Sequence, residues 1–290
     1  MMADGNAYAR LEAVVDSLSA DPSPSLPSAR DTVDELLALL ESGAVRAAVC
    51  DSDGEWNAVP WVKRGILLGF RVGAVVDMSL GPSKANAATF SFFDKDTYPP
   101  RNLQLSDGVR IVPGGSSIRR GAHVARGVVC MPPSYVNVGA YIGAGTMIDS
   151  HALVGSCAQV GERVHVSAAA QLGGVLEPIN AAPVVIEDDV VVGGNCGVYE
   201  GTVVRRRAVL GAGVILTRST PVFDLVNETV YRASPGHALV IPSGAVVIPG
   251  ARRISSAWAN EMNLSLVTPI IVKYRDERTD AATALEDSLR

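Results

Sequence analysis

The hydrophobic pattern in the middle of the chain repeats every six residues. From residue 112 to residue 172 an apolar side chain occupies every sixth position, eleven times in succession. A small or β-branched residue follows four positions after each of the first ten. The apolar positions are Val112, Ile118, Val124, Cys130, Val136, Ile142, Ile148, Val154, Val160, Val166 and Leu172. A period of six fits neither an α-helix nor an ordinary strand. It predicts a parallel β-helix, in which three hexads, about 18 residues in total, form one triangular coil.

The pattern is interrupted once. Apolar residues resume at Ile186, which lies 14 positions after Leu172, and 14 is not a multiple of six. The second series is Ile186, Val192, Val198, Val204, Leu210, Leu216 and Val222. A loop must therefore leave the coil within residues 173–183 (GGVLEPINAAP). Loops that leave a rigid scaffold often carry binding residues, and a plain insertion without function is the alternative.

The regions that flank the repeat have other patterns. Residues 7–19 and 32–42 show helical spacing, with a Pro/Ser-rich linker between them. Residues 55–72 (EWNAVPWVKRGILLGFRV) mix aromatic and aliphatic side chains, and we expect them to cover one end of the coil, where strand edges would otherwise be unpaired. After the coil, strand-like pieces precede a polar, helical tail over residues 280–290. This last region is expected to fold back along the coil or to contact a neighbouring copy.

These patterns predict a mainly β protein of three parts. An N-terminal α-rich domain spans residues 1–105, a left-handed parallel β-helix spans 106–225, and a C-terminal β/α extension spans 226–290. Hexads of this type wind left-handed, as an exception to the usual right-handed crossover. The five to six coils that we expect would form a prism with flat faces. Flat faces pack well against one another, so we expect a homotrimer with clefts between its prisms.

Composition narrows the class of protein. The formal net charge of -5 gives no general attraction to nucleic acid or to an anionic membrane surface. No apolar run approaches the roughly 20 residues that span a bilayer, and the first residues lack the pattern of a signal peptide. The four cysteines have no CxxC spacing, so neither a metal site nor a disulfide framework is expected. A cytoplasmic protein without metal is the simplest interpretation.

Asp149 is the first candidate for chemistry. It follows the inward-facing Ile148, so its carboxylate is expected to point outward into a cleft. A carboxylate in such a cleft can act as a general acid or base. The alternative is a turn carboxylate that accepts hydrogen bonds from backbone amides at a corner of the coil.

Several segments, taken together, resemble the tetrahydrodipicolinate N-succinyltransferase family of lysine (diaminopimelate) biosynthesis. They are LLESGAVRAA, WVKRGILLGFR, GVRIVP, MPPSYVNVGAYIGAGTMIDSHALVGSCAQVGERVHVS, GGVLEPINAAPVVIEDD, GVYEG and LSLVTPIIVKYRDERT, which run nearly from end to end. The resemblance implies an acyltransferase that acylates the amine of the ring-opened dicarboxylate, with succinyl-CoA or acetyl-CoA as co-substrate. It also implies a homotrimer whose active sites lie in the grooves between subunits.

The resemblance also implies roles for individual residues. Asp149 matches a family carboxylate that contacts the substrate and takes part in proton transfer. Arg110 matches a substrate-contacting arginine, and its planar fork suits a carboxylate. Ser167, in a matched segment, is expected at the substrate as well. For CoA the candidates are Gly174, Ala212 and Gly213 along the pantetheine path and Arg252 at the phosphates.

One stretch departs from the family pattern. The family reads approximately GARSEVVEG where this chain has GGNCGVYEG (residues 193–201), so Gly197 replaces a catalytic glutamate and Asn195 replaces an arginine. Glu200 keeps a carboxylate nearby and is our candidate for the second catalytic group, although three residues along a strand change both height and facing. Alternatively, a histidine shares the proton transfer or the substrate differs.

Three other interpretations stay open. The first is an acetyl-CoA-dependent enzyme of secondary metabolism, as in a tabtoxin-like pathway, and the second is a β-helix that binds a small molecule without catalysis. The third is a zinc enzyme of the γ-carbonic-anhydrase type, which the spacing of His123, His151 and His165 does not favour. His151, two residues after Asp149, lies where a catalytic imidazole or a stacking ring would stand beside the cleft.

Overall fold

The computed structural model describes residues 8–80, 90–278 and 280. Within these ranges the helices are α1 (Ala9–Ala20), α2 (Leu26–Ser42), α3 (Pro60–Val72) and α4 (Ala257–Glu261). The strands before the coil are β1 (Ala48–Cys50), β2 (Trp56–Ala58), β3 (Val75–Asp77) and β4 (Phe93–Lys95). The helices predicted at 7–19 and 32–42 are therefore confirmed as α1 and α2, although α2 begins six residues earlier than expected.

The later strands are mostly two residues long, as a coil of hexads requires. They are β5 (Arg110–Ile111), β6 (Ser117–Ile118), β7 (His123–Val124), β8 (Val129–Cys130), β9 (Tyr135–Val136), β10 (Tyr141–Ile142), β11 (Met147–Ile148), β12 (Leu153–Val154), β13 (Gln159–Val160), β14 (His165–Val166), β15 (Gln171–Leu172), β16 (Val185–Ile186), β17 (Val191–Val192), β18 (Gly197–Val198), β19 (Val203–Val204), β20 (Val209–Leu210), β21 (Ile215–Leu216), β22 (Val222–Asp224), β23 (Thr229–Tyr231), β24 (Val240–Ile241), β25 (Ala245–Arg253) and β26 (Ser265–Tyr274).

These strands form the three faces of a left-handed parallel β-helix, which confirms the predicted fold class. The first face contains β5, β8, β11, β14, β17, β20 and β25. The second contains β6, β9, β12, β15, β18 and β21, and the third contains β7, β10, β13, β16, β19 and β24. The inward positions of both predicted series, from Ile118 to Leu172 and from Ile186 to Val222, are at most 5% exposed. They form the core of the coil.

The register of the strands confirms the predicted loop. Below the loop, Met147 pairs with Val129 and with His165, each 18 residues away. Across the loop, Gln171 pairs with Gly197, 26 residues further on, so the excursion adds eight residues to one coil. The strands on both sides stay aligned because the extra residues lie outside the stack.

The N-terminal helices do not lie where we expected. They pack along the corner between the second and third faces, and the expectation that residues 55–72 cover one end of the coil is wrong. Glycines in that corner allow the close approach, because a Cβ on Gly121 would lie 2.6 Å from Leu37 Cδ2 and one on Gly139 would lie 2.9 Å from Ile66 Cδ1. The helices thus bury the side of the lower coils.

The β1–β2 hairpin lies against the third face. Arg46 stacks over the ring of Tyr141, with 3.7 Å between its guanidinium carbon and the ring centroid. The ring of His123, one coil below, also stacks on Tyr141, with 4.5 Å between the ring centroids. Trp56 donates a hydrogen bond from Nε1 to Glu187 Oε1 at 3.0 Å. This face is therefore largely occupied by the chain itself.

The coil continues beyond the boundary predicted at residue 225. Strands β24 and β25 stack in parallel on β19 and β20. Strand β26 then returns antiparallel along β25 and also pairs with β22. The C-terminal region therefore folds back on the coil, which was one of the two expected arrangements. The tail predicted at 280–290 lies outside the described residues except for Asp280.

Candidate active site

The corner between the first and second faces, which we call the first corner, carries Asp149 and Ser167. The residue after each first-face strand lies beneath its counterpart in the next coil, and its backbone N–H donates to the last residue of the strand above, for example from Asp149 N to Val166 O at 2.9 Å. The resulting column contains Met131, Asp149, Ser167, Gly193 and Gly211. The period of the coil thus aligns the predicted substrate residues with the glycines above them.

Asp149 points outward, as predicted, and its side chain is 31% exposed. Its Oδ1 accepts a hydrogen bond from the backbone N–H of Ser150 at 2.8 Å. Its Oδ2 lies 3.8 Å from Nε2 of His165. The turn role that we considered as an alternative therefore engages one oxygen only, and the second oxygen faces an imidazole.

His165 also lies at the site, although the sequence analysis considered it only as a possible zinc ligand. It lies on β14, the strand above β11, and its side chain is 13% exposed. The signal that would have found it is the coil length, because a residue 16 positions after Asp149 lies one coil higher and two positions earlier. His151, by contrast, occupies the corner itself with a φ of 63°, and its backbone N–H donates to Pro133 O.

Arg110 lies on the same face as Asp149 but lower. It is on β5, the edge strand, separated from β11 by β8. At about 4.8 Å per strand, its backbone is roughly 10 Å from that of Met147. The side chain is exposed, and among the described residues it has neither a hydrogen-bond nor an ion-pair partner. It is free to bind an anionic group on this face.

Ala212 and Gly213 lie at the top of the first corner. They come directly after Gly211, and a Cβ on Gly213 would lie 3.8 Å from Pro249 Cγ, its nearest contact among the residues that the structure describes. The corner is narrow further down, where a Cβ on Gly193 would lie 2.5 Å from Leu210 O. The missing side chains leave an exposed strip of backbone that can accept a thin chain.

Arg252 lies on β25 three residues beyond Pro249, on the ribbon that continues this strip. Its Nε is buried and has no hydrogen-bond partner within residues 8–80, 90–278 and 280. A buried guanidinium nitrogen without a partner is costly unless a ligand satisfies it. The arrangement is suited to an anionic ligand.

Gly174 and Glu200 lie elsewhere, at the corner between the second and third faces, which we call the second corner. They line a groove of about 1010 Å³ between the loop at 173–183 and residues 217–219 and 233–235. The loop can leave the coil here because Gly155 has no side chain, since its Cβ would lie 2.6 Å from Gly174 Cα.

Glu200 is held by the backbone. Its Oε2 accepts a hydrogen bond from Arg218 N at 2.8 Å, and its φ of 54° is a left-handed conformation that costs a non-glycine residue about 1 kcal/mol. One carboxylate oxygen is therefore committed to the turn. The residue is exposed and lines the groove.

Lys63 on α3 supports the loop from below, and sequence patterns alone did not suggest it. The residue is 0% exposed, and its Nζ donates a hydrogen bond to Ala181 O at 2.5 Å. Burial lowers the pKa of this amine. The N-terminal domain thus fixes one wall of the groove.

A single copy of the chain does not bring all predicted residues together. Asp149, Ser167, Ala212 and Gly213 share the first corner, Arg110 lies below it, and Arg252 lies above it. Gly174 and Glu200 occupy the second corner, across the width of the second face.

None of the helices in the described part of the chain is long and apolar enough to cross a bilayer.

Comparison with known proteins identifies the family to which the chain belongs. Residues 11–72 match the sequence profile described as tetrahydrodipicolinate N-succinyltransferase N-terminal, and residues 183–218 match that of the hexapeptide repeat of succinyl-transferase. A 2,3,4,5-tetrahydropyridine-2,6-dicarboxylate N-succinyltransferase from Albidiferax ferrireducens is 44% identical and covers 90% of this chain and 89% of its own length. Proteins of the same name from Nitrobacter winogradskyi and Azoarcus sp. are 40% and 41% identical, with coverage of 90% and 94% of this chain and 90% and 93% of their own. The chain therefore belongs to the tetrahydrodipicolinate N-succinyltransferase family.

Proposed function

We propose that the protein is an acyl-CoA-dependent N-succinyltransferase that acylates the amine of ring-opened tetrahydrodipicolinate. The observation that carries this proposal is the outward carboxylate of Asp149, which Ser150 orients and His165 faces at 3.8 Å. The relatives' name supplies the substrate and the succinyl donor. Acetyl-CoA remains the alternative donor, because Gly197 departs from the family pattern.

The reaction requires one proton to leave the amine. The amine nitrogen attacks the thioester carbonyl, a C–N bond forms, the C–S bond breaks, and CoA departs as a thiol. Asp149 accepts the amine proton through Oδ2, and His165 stabilises the carboxylate or passes the proton on. Arg110 and Ser167 hold a carboxylate of the substrate on the first face. In this scheme Glu200 assists from the opposite side of the groove.

CoA is a substrate here, and the first corner fits its shape. The pantetheine arm runs along the exposed backbone of the Gly193–Gly213 strip, and Arg252 meets a phosphate at the ribbon. A phosphate would satisfy the buried Nε of Arg252. Gly174 belongs to the neighbouring copy's wall of the same groove.

The working assembly in this proposal is a cytoplasmic homotrimer. The predicted residues fall at two corners of one prism, and packing the first corner of one copy against the second corner of the next unites them. Each groove then receives Asp149 from one subunit and Glu200 from its neighbour. Light scattering coupled to size-exclusion chromatography measures the mass of the assembly, and the mass of a monomer would contradict the proposed trimer.

Thiol release tests the function. Purified protein is mixed with tetrahydrodipicolinate or L-2-aminopimelate and with either succinyl-CoA or acetyl-CoA. We expect CoA thiol to appear faster with succinyl-CoA. Faster release with acetyl-CoA would reassign the donor. Tight substrate binding without release from either donor would support the non-catalytic alternative and overturn the proposal.

The assignment of Asp149 has a matched control. Asp149→Asn keeps the acceptor for Ser150 but removes the base, so we expect kcat to fall by about 10²–10⁴-fold. Asp188 also accepts a backbone hydrogen bond, from Glu162 N at 2.8 Å, but it lies on the other side of the coil. Asp188→Asn should leave kcat within about twofold. Full activity of Asp149→Asn would defeat the assignment.

A further inference from the structure

The ring of Tyr199 lies over two glycines, Gly173 and Gly197, which we call the glycine bed. A Cβ on Gly197 would lie 2.9 Å from both Cζ and the hydroxyl oxygen of the Tyr199 ring, and a Cβ on Gly173 would lie 2.7 Å from its Cδ1. Distances below 3.0 Å are not tolerated between such atoms, so any larger residue at either glycine would displace the ring. The ring therefore lies across its own strand and the coil beneath, in space that is open only because neither position carries a side chain.

The hydroxyl of this ring is available for a ligand. Tyr199 is half-buried and lines the 1010 Å³ groove together with Gly174 and Glu200. Within the part of the chain that the structure describes, its hydroxyl has no hydrogen-bond partner. A partly buried tyrosine hydroxyl usually finds one. The nearby Glu200 does not fulfil this role, because its Oε2 is engaged by Arg218 N.

Gly197 is also the position at which the sequence departs from the approximate family pattern GARSEVVEG described above. A glutamate at 197 and the Tyr199 ring in its present place are mutually exclusive, since they would occupy the same space. An ionised carboxylate only accepts hydrogen bonds, whereas a phenol near neutral pH donates one. At this point of the groove the chain therefore presents a donor in space that a side chain at position 197 would otherwise occupy.

We propose that the Tyr199 hydroxyl donates a hydrogen bond to an oxygen of the bound substrates and thereby positions them in the groove. The inference rests on the proposed function, since the substrates of that reaction would bring carboxylates and a thioester carbonyl into this groove, and the oxygens of these groups accept hydrogen bonds. Tyr199 is thus a specificity-determining residue of this chain, and Gly173 and Gly197 leave the space that its ring occupies.

The test compares two phenol-to-phenyl substitutions. Tyr199→Phe keeps the ring in its bed and removes only the hydroxyl. Tyr141→Phe makes the same change on the third face, beneath Arg46 and away from the groove. We expect kcat/KM of Tyr199→Phe to fall 10- to 100-fold at an unchanged Tm, and that of Tyr141→Phe to stay within about twofold.

The kinetic constants identify the oxygen. A loss confined to succinyl-CoA assigns the hydrogen bond to the terminal carboxylate of the acyl group. A raised KM for the amine with both donors assigns it to a substrate carboxylate, and a lowered kcat with both donors assigns it to the carbonyl oxygen under attack. Wild-type constants in Tyr199→Phe, measured beside an active wild-type protein, would overturn this inference alone. A wild-type protein without turnover would overturn the proposed function and the inference with it.

A second variant tests the glycine bed. Gly197→Ala should displace the ring and lower kcat/KM to a similar extent as Tyr199→Phe. The double variant should be no worse than either single variant, because both remove the same hydrogen bond. Losses that multiply in the double variant would show that Gly197 acts independently of the hydroxyl, and would overturn the proposed role of the bed.

Discussion

Asp224 shows how one buried side chain joins the C-terminal region to the coil. It is 2% exposed, and Oδ2 accepts hydrogen bonds from Tyr274 Oη at 2.7 Å and from Asn227 Nδ2 at 2.9 Å. Its Oδ1 accepts from the backbone N–H groups of Val226 and Asn227. Burial by itself would raise the pKa of this carboxyl, but the hydrogen bonds outweigh burial and hold the pKa below its usual value.

We therefore expect Asp224 to contribute stability that depends on pH. Because the pKa is lower in the folded protein, the contribution is complete above the unfolded value of about 4 and is lost as the pH falls through the folded value. Asp224→Asn should cost about 2 kcal/mol at pH 7 and much less near pH 2. Urea unfolding at both pH values measures this, with the exposed Asp53 as control (Asp53→Asn). An equal cost at both pH values would contradict the assignment.

Residue positions in the site were predictable only where the period fixes them. Asp149 points outward because Ile148 points inward, and that followed from the sequence. The contact of His165 with Asp149 depends on the rise from one coil to the next, which a linear pattern does not display. The hydrogen bond from Arg218 to Glu200 depends on a left-handed residue at position 200, and no local rule requires that conformation of a glutamate.

At the scale of elements, the loop at 173–183 and helix α3 form one unit. Lys63 reaches from α3 to Ala181 O, and Gly155 allows the loop to pass close to the coil. The loop was predictable from the shift in hexad frame. Its support was not, because the pattern of α3 indicates an apolar face without indicating which corner of the coil receives it. Helix α2 likewise begins at Leu26, because Pro27 is compatible with a first helical turn although it resembles a linker residue.

Lys63→Met tests the coupling of the loop to the helix. The substitution removes the hydrogen bond to Ala181 but also removes the cost of burying an amine, so we expect Tm to change by only a few degrees. The loop should be cleaved several-fold faster in limited proteolysis, and KM for the acyl donor should rise. The control is Lys273→Met at an exposed lysine paired with Asp276. An unchanged cleavage rate in Lys63→Met would show that the loop is held by other contacts.

At the scale of the whole molecule, the coil is closed at its upper end by the C-terminal ribbon. Strands β22, β23, β25 and β26 extend the first face to ten strands and cover an edge that would otherwise be open to pairing with other chains. The N-terminal helices cover the lower side. The core of the coil is therefore sealed from solvent along most of its length.

The four cysteines report on this closure. Cys50 is exposed, whereas Cys130, Cys157 and Cys196 are buried. Burial raises the pKa of Cys130 to about 11 and that of Cys157 to about 12. Thiolate is the reactive form, and burial also keeps a reagent away from these thiols. The pKa of Cys50 is raised as well, chiefly by desolvation, but its thiol is accessible. We therefore expect one thiol to react rapidly with an aromatic disulfide reagent at pH 8 and all four to react in denaturant. Cys50→Ser should remove the rapid phase, and a rapid phase that persists in it would show that the coil opens.

The stacked column at the first corner has a consequence for the length of the substrate. Asp149, Ser167, Gly193 and Gly211 succeed one another by one coil each, so about 4.8 Å per step places the last roughly 14 Å above the first. Distances along the corner are therefore set in steps of one coil, about 4.8 Å each. The distance between the reacting carbonyl and the far end of the CoA that carries it is thus a whole number of coils. Insertion or deletion of one coil would change this distance by about 4.8 Å and would leave the orientation of every side chain unchanged.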